Sequence, residues 1–310
     1  MVNRPADTPP KREIDPETLA RMGSLTLRAR VLAESALHGM HRSRAHGSSV
    51  EFAEHKEYAP GDDVRHLDWR AYARLDRDYI KRFEDEAHLR ALVLVDNSAS
   101  MGYRRQAEDT LSKIDYAVTC AGALSYVLAR QGDAVGLATF DRDLDLRVPP
   151  RARRGHLQEI FANLESLTPS GTTNLAAALD KLAEGMRRRM ILVIFTDLLD
   201  AGEGALEAIG RLAARRHDVV VFHLMDPDEL DFPFEESTLF TGVEDDQEVP
   251  VDARSIRQAY LQELGDFLDR VSLKARAARV EYELVRTDSS PSAVLSRFIT
   301  LRSSLRATAR

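Results

Sequence analysis

The rhythm of apolar and polar positions changes at residue 89. Before it, charge and aromatics are dense and no long period holds. The exception is SLTLRARVLAESALH (24–38), where Leu25, Leu27, Val31, Leu32, Ala36 and Leu37 fall at roughly helical spacing and predict a helix. From Leu89 onward, short apolar runs alternate with amphipathic stretches. LRALVLVD (89–96) reads as a buried parallel strand ending in an acid. Further strands are predicted at DAVGLATF (133–140), DLDLRV (143–148), RMILVIFTD (189–197), HDVVVFHLMD (217–226) and ARVEYELVR (278–286). Helices are predicted over about 111–131, 153–166, 173–187, 203–215 and 253–276, and a last one in SPSAVLSRFITLRSSLRA. TLFTGVE and QEVPVD read as a short hairpin inserted into this alternation.

Strands alternating with helices of ten or more residues predict an α/β fold. It is a doubly wound, mostly parallel sheet with helices on both faces, Rossmann-like, preceded by an N-terminal extension. The expected organisation is a flexible leader over 1–20 (most clearly Met1 to Asp15) and a helix with a charged extension over 21–88. The α/β domain follows over 89–288, with the hairpin insertion at about 227–252, and a helical tail over 289–310. Ligands of such sheets bind at the carboxyl ends of strands, near the topological switch point.

Composition narrows the function classes. The 310 residues carry 43 Lys and Arg against 50 Asp and Glu, a formal charge of −7, and 44% are hydrophobic. That is globular, and the acidic balance argues against general nucleic-acid binding. No segment has the ~20 apolar residues that span a bilayer, and the first residues lack the apolar run of a signal peptide. The single Cys120 permits no intrachain disulfide. The expectation is a cytoplasmic protein without membrane insertion.

Three segments at strand-to-helix transitions carry candidate chemistry. The first strand ends in Asp96-Asn97-Ser98-Ala99-Ser100, a D-x-S-x-S spacing. Ser170-Gly171-Thr172-Thr173-Asn174 precedes a helix, and the most apolar strand ends in Thr196-Asp197. In a doubly wound sheet such positions meet at one edge. The candidate metal ligands are Asp96, Ser98, Ser100, Thr173 and Asp197, all oxygen donors. Such a set suits a hard cation, magnesium first, with manganese or calcium as alternatives. Taken singly, each motif also has a structural reading, since Asp, Ser and Thr are common cap and loop residues.

Asp96-x-Ser98-x-Ser100, Thr173 in S-G-T-T-N-L, and Thr196-Asp197 resemble the metal-ion-dependent adhesion site of von Willebrand factor A domains. The resemblance implies direct coordination by Ser98, Ser100 and often Thr173, with Asp96 and Asp197 acting partly through water. Two departures stand out: Thr172 replaces a Gly of the usual G-G-T-N-L, and Leu198 stands where many members have Gly. A second resemblance covers about residues 37–225. His41-Arg42-Ser43-Arg44, Gly47, Glu51-Phe52, Glu57-Tyr58, Pro60-Gly61-Asp62-Asp63, Arg65, Asp68-Trp69 and Ala73-Arg74 resemble a bacterial family labelled domain of unknown function fifty-eight. In that family the segment precedes a von Willebrand A-like strand ending D-x-S-x-S-M, as Met101 does here. The resemblance implies partnership with MoxR-type AAA+ ATPases and assigns no reaction.

Other residues read as structural. The Pro60-Gly61-Asp62-Asp63 turn, with Arg65, Arg70 and Arg74 nearby, reads as a salt-bridged brace that is compatible with docking. Its superficial likeness to a nuclease motif runs in the wrong order. His38, His41, His46, His55 and His66 fit no common zinc spacing. Cys120 lies in an apolar helix and reads as a small core residue. Arg151, Arg153 and Arg154 read as a solvated helix start. Ser98 where an aspartyl phosphatase needs its second Asp removes that reaction, and no G-x-S-x-G, Walker A or G-x-G-x-x-G loop occurs.

The leading expectation is a non-enzymatic protein-binding module that captures a partner carboxylate through the bound ion. The partner expected from the resemblance is a MoxR-type AAA+ ATPase. The alternatives are a metal-dependent hydrolase, for which the sequence offers no obvious general base at a strand end and leaves only Asp226 and Asp141 open, and a scaffold with a vestigial metal loop.

Overall fold

The structure is a computed structural model. It describes residues 14–44, 55–57, 79–81, 89–106, 110–153, 155–199, 203–242 and 248–308. The chain divides into two compact units, residues 37–87 and residues 1–36 with 88–310. Within the smaller unit, β1 (His55–Glu57) pairs antiparallel with β2 (Tyr79–Lys81). The Pro60–Asp63 turn, Asp68-Trp69 and the side chains of the five N-terminal histidines lie outside the described residues.

The larger unit opens with α1 (Pro16–Ala20), capped by Asp15, whose Oδ1 accepts from Thr18 N at 2.6 Å. Leu19 of α1 is fully buried, so the leader reading does not extend over residues 16–20. Next comes α2 (Leu25–Arg44), which starts at the predicted place and runs six residues beyond the predicted end. Leu25, Ala29, Leu32, Ala33 and Ala36 form its buried stripe.

The core element is a six-stranded sheet in the order β10-β7-β6-β3-β4-β5. Its strands are β3 (Arg90–Asp96), β4 (Ala134–Phe140), β5 (Leu144–Arg151), β6 (Ile191–Thr196), β7 (Asp218–Met225) and β10 (Glu281–Arg286). All neighbours pair parallel except β5, an antiparallel edge strand on β4. The central strands are apolar on both faces because both faces are covered, the condition that parallel sheets require. Leu92, Leu94, Leu192, Ile194, Val219 and Val221 face a layer built by α5 (Leu175–Gly185), α6 (Glu203–Ala214) and α8 (Ala253–Ala277). On the other side α3 (Lys113–Arg130) crosses β3, β4, β6 and β7, flanked by α4 (His156–Glu165) and α9 (Pro291–Thr308). Because neighbours cover it all round, α3 is apolar along most of its length, with Tyr116, Cys120, Leu124 and Val127 buried. Arg302 of α9 pairs with buried Asp133, and Asp133 Oδ1 accepts from Leu89 N at 3.1 Å. That contact ties the last helix to the start of the sheet.

The predicted insertion holds more than a hairpin. Asp226 caps a short helix, α7 (Pro227–Asp231), through a capping box with Glu229. The hairpin follows as β8 (Ser237–Thr241) and β9 (Glu248–Asp252). The switch point lies between β3 and β6: from β3 the chain moves to β4 on one side and then returns to β6 on the other. The crevice of a doubly wound sheet opens there.

One glycine is dictated by packing. A Cβ at Gly136 of β4 would lie 2.7 Å from both Pro150 N and Val148 O of the bulged edge strand β5. Backbone cannot yield as a side-chain tip does, so Gly136→Ala should cost roughly 1–3 kcal/mol. Urea unfolding checks this; a change within experimental error would show that β5 moves aside freely.

Candidate functional site

Five residues named from the sequence converge at the carboxyl ends of β3 and β6. Asp96 is the last residue of β3 and is fully buried. Its Oδ1 accepts from Ser98 N at 3.0 Å, Ser98 Oγ at 2.7 Å and Thr173 Oγ1 at 3.1 Å. Its Oδ2 accepts from Thr196 Oγ1 at 2.7 Å. Ser98 Oγ stands 3.1 Å from Ser100 Oγ, and the Ser100 hydroxyl helps hold the Asp197 carboxyl below its ordinary value. Asp96, Ser98, Ser100 and Thr173 are linked by hydrogen bonds, Asp197 stands beside them, and all five are buried.

The two loops that supply these hydroxyls are bonded to each other. Ser170 N donates to Asn97 O at 2.9 Å, and Ala99 N donates to Gly171 O at 3.0 Å. Asn97 Nδ2 reaches Thr168 O at 3.1 Å. Gly171 has φ +71, a left-handed conformation that glycine adopts without steric cost. The cap of α5 is Asn174, whose side chain accepts from Ala177 N at 3.0 Å. That assignment leaves Thr173 outside the capping role and directs its hydroxyl to Asp96.

Both departures from the adhesion-site pattern acquire a physical meaning. Thr172 carries no positive φ, so a side chain is tolerated, and its hydroxyl accepts from Arg142 Nε at 3.0 Å. Leu198 has φ 50, the region where a Gly is at home, yet it is buried in the core. Holding a non-glycine residue there costs of order 1–3 kcal/mol, offset by about as much from burying the side chain.

Lys113, at the start of α3, is a functional candidate that sequence reasoning missed. Its Nζ lies 2.8 Å from Asp197 Oδ2 and 2.8 Å from Glu229 Oε1, and the side chain is only 1% exposed. A lysine at a helix start reads as a solvated residue, and its partners are 84 and 116 positions away. The sequence signal was weak: a cation at the first position of a helix that is apolar over most of its length.

The charges are unevenly compensated. Burial pushes Asp197 up, but the Lys113 ammonium outweighs it and holds the carboxyl below its ordinary value. Burial also opposes the charge on Lys113, and the attraction of Asp197 and Glu229 prevails, so the lysine titrates above its usual range. Asp96 has no cation beside it among the described residues. Burial first, then repulsion by Asp197, raises it from 3.8 to about 6, against the pull of the Thr196 and Ser98 hydrogen bonds. Its charged form therefore opposes folding. The stability tied to this group is whole below about 3.8 and is lost as the pH rises through about 6. His223 is buried under Asp197, bonded to its carbonyl through Nε2 at 2.8 Å and to Tyr282 Oη through Nδ1 at 2.8 Å. Burial lowers it to about 4, so this ring is neutral at pH 7.

The donor set fits a hard divalent cation. Among the described residues no three His, Cys, Asp or Glu side chains gather as a metal cluster, so hydroxyls complete the set around two carboxylates. Both candidates for a general base are engaged in local structure. Asp226 accepts from Asp228 N at 2.9 Å and Arg105 N at 3.2 Å, and Asp141 accepts from Asp143 N at 3.1 Å. Cys120 is fully buried, and burial alone pushes its thiol well above the usual range. Arg153 pairs with Glu159 at 2.9 Å.

Residues 54–266 match the family model described as Protein of unknown function DUF58. The chain belongs to this family. Two relatives of this DUF58 chain are the uncharacterized proteins Rv1480 of Mycobacterium tuberculosis and Mb1516 of Mycobacterium bovis. Each is 30% identical over 224 residues, covering 71% of this chain and 68% of the relative. Among solved structures, this DUF58 chain is similar to the conserved hypothetical protein BatB from Bacteroides thetaiotaomicron. That match has 17% identity and TM-score 0.45, covering 69% of this chain and 98% of that one. An aerotolerance-related membrane protein from Bacteroides fragilis matches at 22% identity and TM-score 0.43, covering 66% and 93%. Among the described residues of this DUF58 chain, no helix is long and apolar enough to cross a membrane.

Replacing Lys113 by Met would leave Asp197 and Glu229 buried without their cation. Breaking a buried pair from one side costs about 3–5 kcal/mol. Lys113→Met should lose that much in urea unfolding, and a loss below about 1 kcal/mol would show that water reaches these carboxylates.

Proposed function

We propose that this chain is a non-enzymatic protein-binding module of von Willebrand A-like architecture that captures a partner carboxylate through a divalent ion. Asp96, Ser98, Ser100, Thr173 and Asp197 are the residues that would hold the ion. Magnesium is the first choice, and manganese or calcium are alternatives. The observation that carries the reading is the uncompensated charge on Asp96: a fully buried carboxylate, raised to about 6, ringed by hydroxyls rather than cations. Asp96, Asp197 and Glu229 with Lys113 leave a deficit of two positive charges, which one divalent ion supplies.

Ser98 and Thr173 donate their hydroxyl protons to Asp96, and a hydroxyl oxygen that donates keeps the lone pairs a cation needs. A protein-supplied carboxylate is the natural further ligand for an ion held largely by neutral oxygens. The family resemblance points to a MoxR-type AAA+ ATPase as the partner. Both oxygens of Asp226 are engaged, by Asp228 N, Arg105 N and Thr287 Oγ1, and this favours binding over hydrolysis through that residue.

Thermal unfolding with magnesium and with chelator tests the ion. A ligand at a hundred times its dissociation constant adds about 2.7 kcal/mol, which raises the midpoint by several degrees. Asp96→Ala should abolish that shift, and a pull-down of the ATPase should fail both with chelator and with Asp96→Ala. Unchanged capture by Ser98→Ala with Ser100→Ala would make the loop vestigial. Magnesium-dependent turnover of phosphoesters would make the chain a hydrolase.

A further inference from the structure

The Lys113 bridge leads from the candidate ion site to a second cavity. Glu229 receives one arm of the bridge and also lines a pocket of about 360 Å³ between α7, the β8–β9 hairpin and the start of α8. The walls are aromatic: Phe232, Phe234, Phe240 and Tyr260. The rings hold one another in place, with Phe232 centred 4.7 Å from Tyr260 and 5.2 Å from Phe234, and Phe234 5.3 Å from Phe240. Phe232 keeps φ 44 within this stack. The size falls within the range of small-ligand sites, and so does the mixture of many apolar walls with few polar groups.

We propose that this pocket binds the side chain of an arginine presented by a partner protein. The acids on α7 set the sign of the ligand. Glu229 is engaged by Lys113 and by Asp226 N, and Asp231 is held in a fork by Arg286 at 2.9 and 2.8 Å. Asp228 also lines the pocket; among the described residues its carboxylate accepts the Tyr103 hydroxyl at 3.4 Å, and Arg105 acts on it through charge without a hydrogen bond. An anionic side chain is repelled by Asp228 and Glu229. A purely apolar one would take water from Asp228 and leave its carboxylate with only the long Tyr103 contact, which is costly. A side chain with an apolar stem and a cationic tip satisfies both walls and rim. The ring faces attract the cation through their quadrupoles, and a carboxylate completes the contact. Arginine fits better than lysine because its guanidinium is planar, weakly hydrated, stacks on rings and pairs with a carboxylate in a fork.

The proposal stands apart from the ion reading, since no atom of the pocket has to touch the metal. The test uses the full chain in chelator and in magnesium, with the blocked tripeptide acetyl-Gly-Arg-Gly-amide as probe. Its citrulline counterpart, isosteric and uncharged, is the control. Calorimetry should show saturable binding of the arginine peptide in both buffers, with the citrulline peptide at least tenfold weaker. Asp228→Asn should weaken the arginine peptide about tenfold and erase the preference over citrulline, with circular dichroism reporting an intact fold. Equal binding of the two peptides would make the pocket merely apolar and overturn the proposal. So would no saturation at millimolar peptide, or an Asp228→Asn variant that binds like the parent. Binding in chelator alongside a failed magnesium shift would sink the ion reading and leave this one standing.

Discussion

Taking a carboxylate out of water costs several kcal/mol unless a cation or a full set of donors meets it. This protein buries two of them side by side at the switch point of its sheet, and treats them differently. Asp197 is met by Lys113, an ammonium shared with Glu229. Asp96 is met only by hydroxyls and one amide. The asymmetry gives the site its character: one acid is locked by a resident cation, and the other is left electrostatically incomplete.

The sheet makes this arrangement possible. Strand β3 is covered on both faces, so between Arg90 at its start and Asp96 at its end every side chain is apolar, and the acid appears where the strand leaves the core. The same holds for β6 and the Thr196-Asp197 pair. Backbone hydrogen bonds between the Asn97–Ala99 and Ser170–Gly171 segments bring the third loop alongside. Rigidity under the loops comes from α3, whose apolar length crosses the strands while its first residue, Lys113, reaches into the cluster. One helix thus carries both the packing of the core and the counter-charge of the site.

Much of the fold was readable because its periods are clean. Runs such as ILVIFT and VVVFHLM have few alternatives to a buried strand, and the D-x-S-x-S spacing at a strand end pointed to the right edge of the sheet. What the sequence hid were tertiary matters. Lys113 looks like an ordinary helix-start residue until Asp197 and Glu229 are folded against it. Asp226 appeared as a possible base because it ends a strand, yet its carboxylate is spent on capping α7. The five-residue α7 is too short to show periodicity. The positive φ at Leu198 is visible only in coordinates, although the glycine usual at that place in adhesion sites was the clue.

The central claim is that Asp96 is a buried acid awaiting a cation, and its own titration reports on this directly. The carboxyl ¹³C resonance of Asp96 should be followed against pH in chelator and again in magnesium. The account predicts a midpoint near 6 in chelator and a midpoint displaced well below that once the ion is present. A midpoint at the ordinary aspartate value of 3.8 in chelator, or one that magnesium leaves in place, would contradict it.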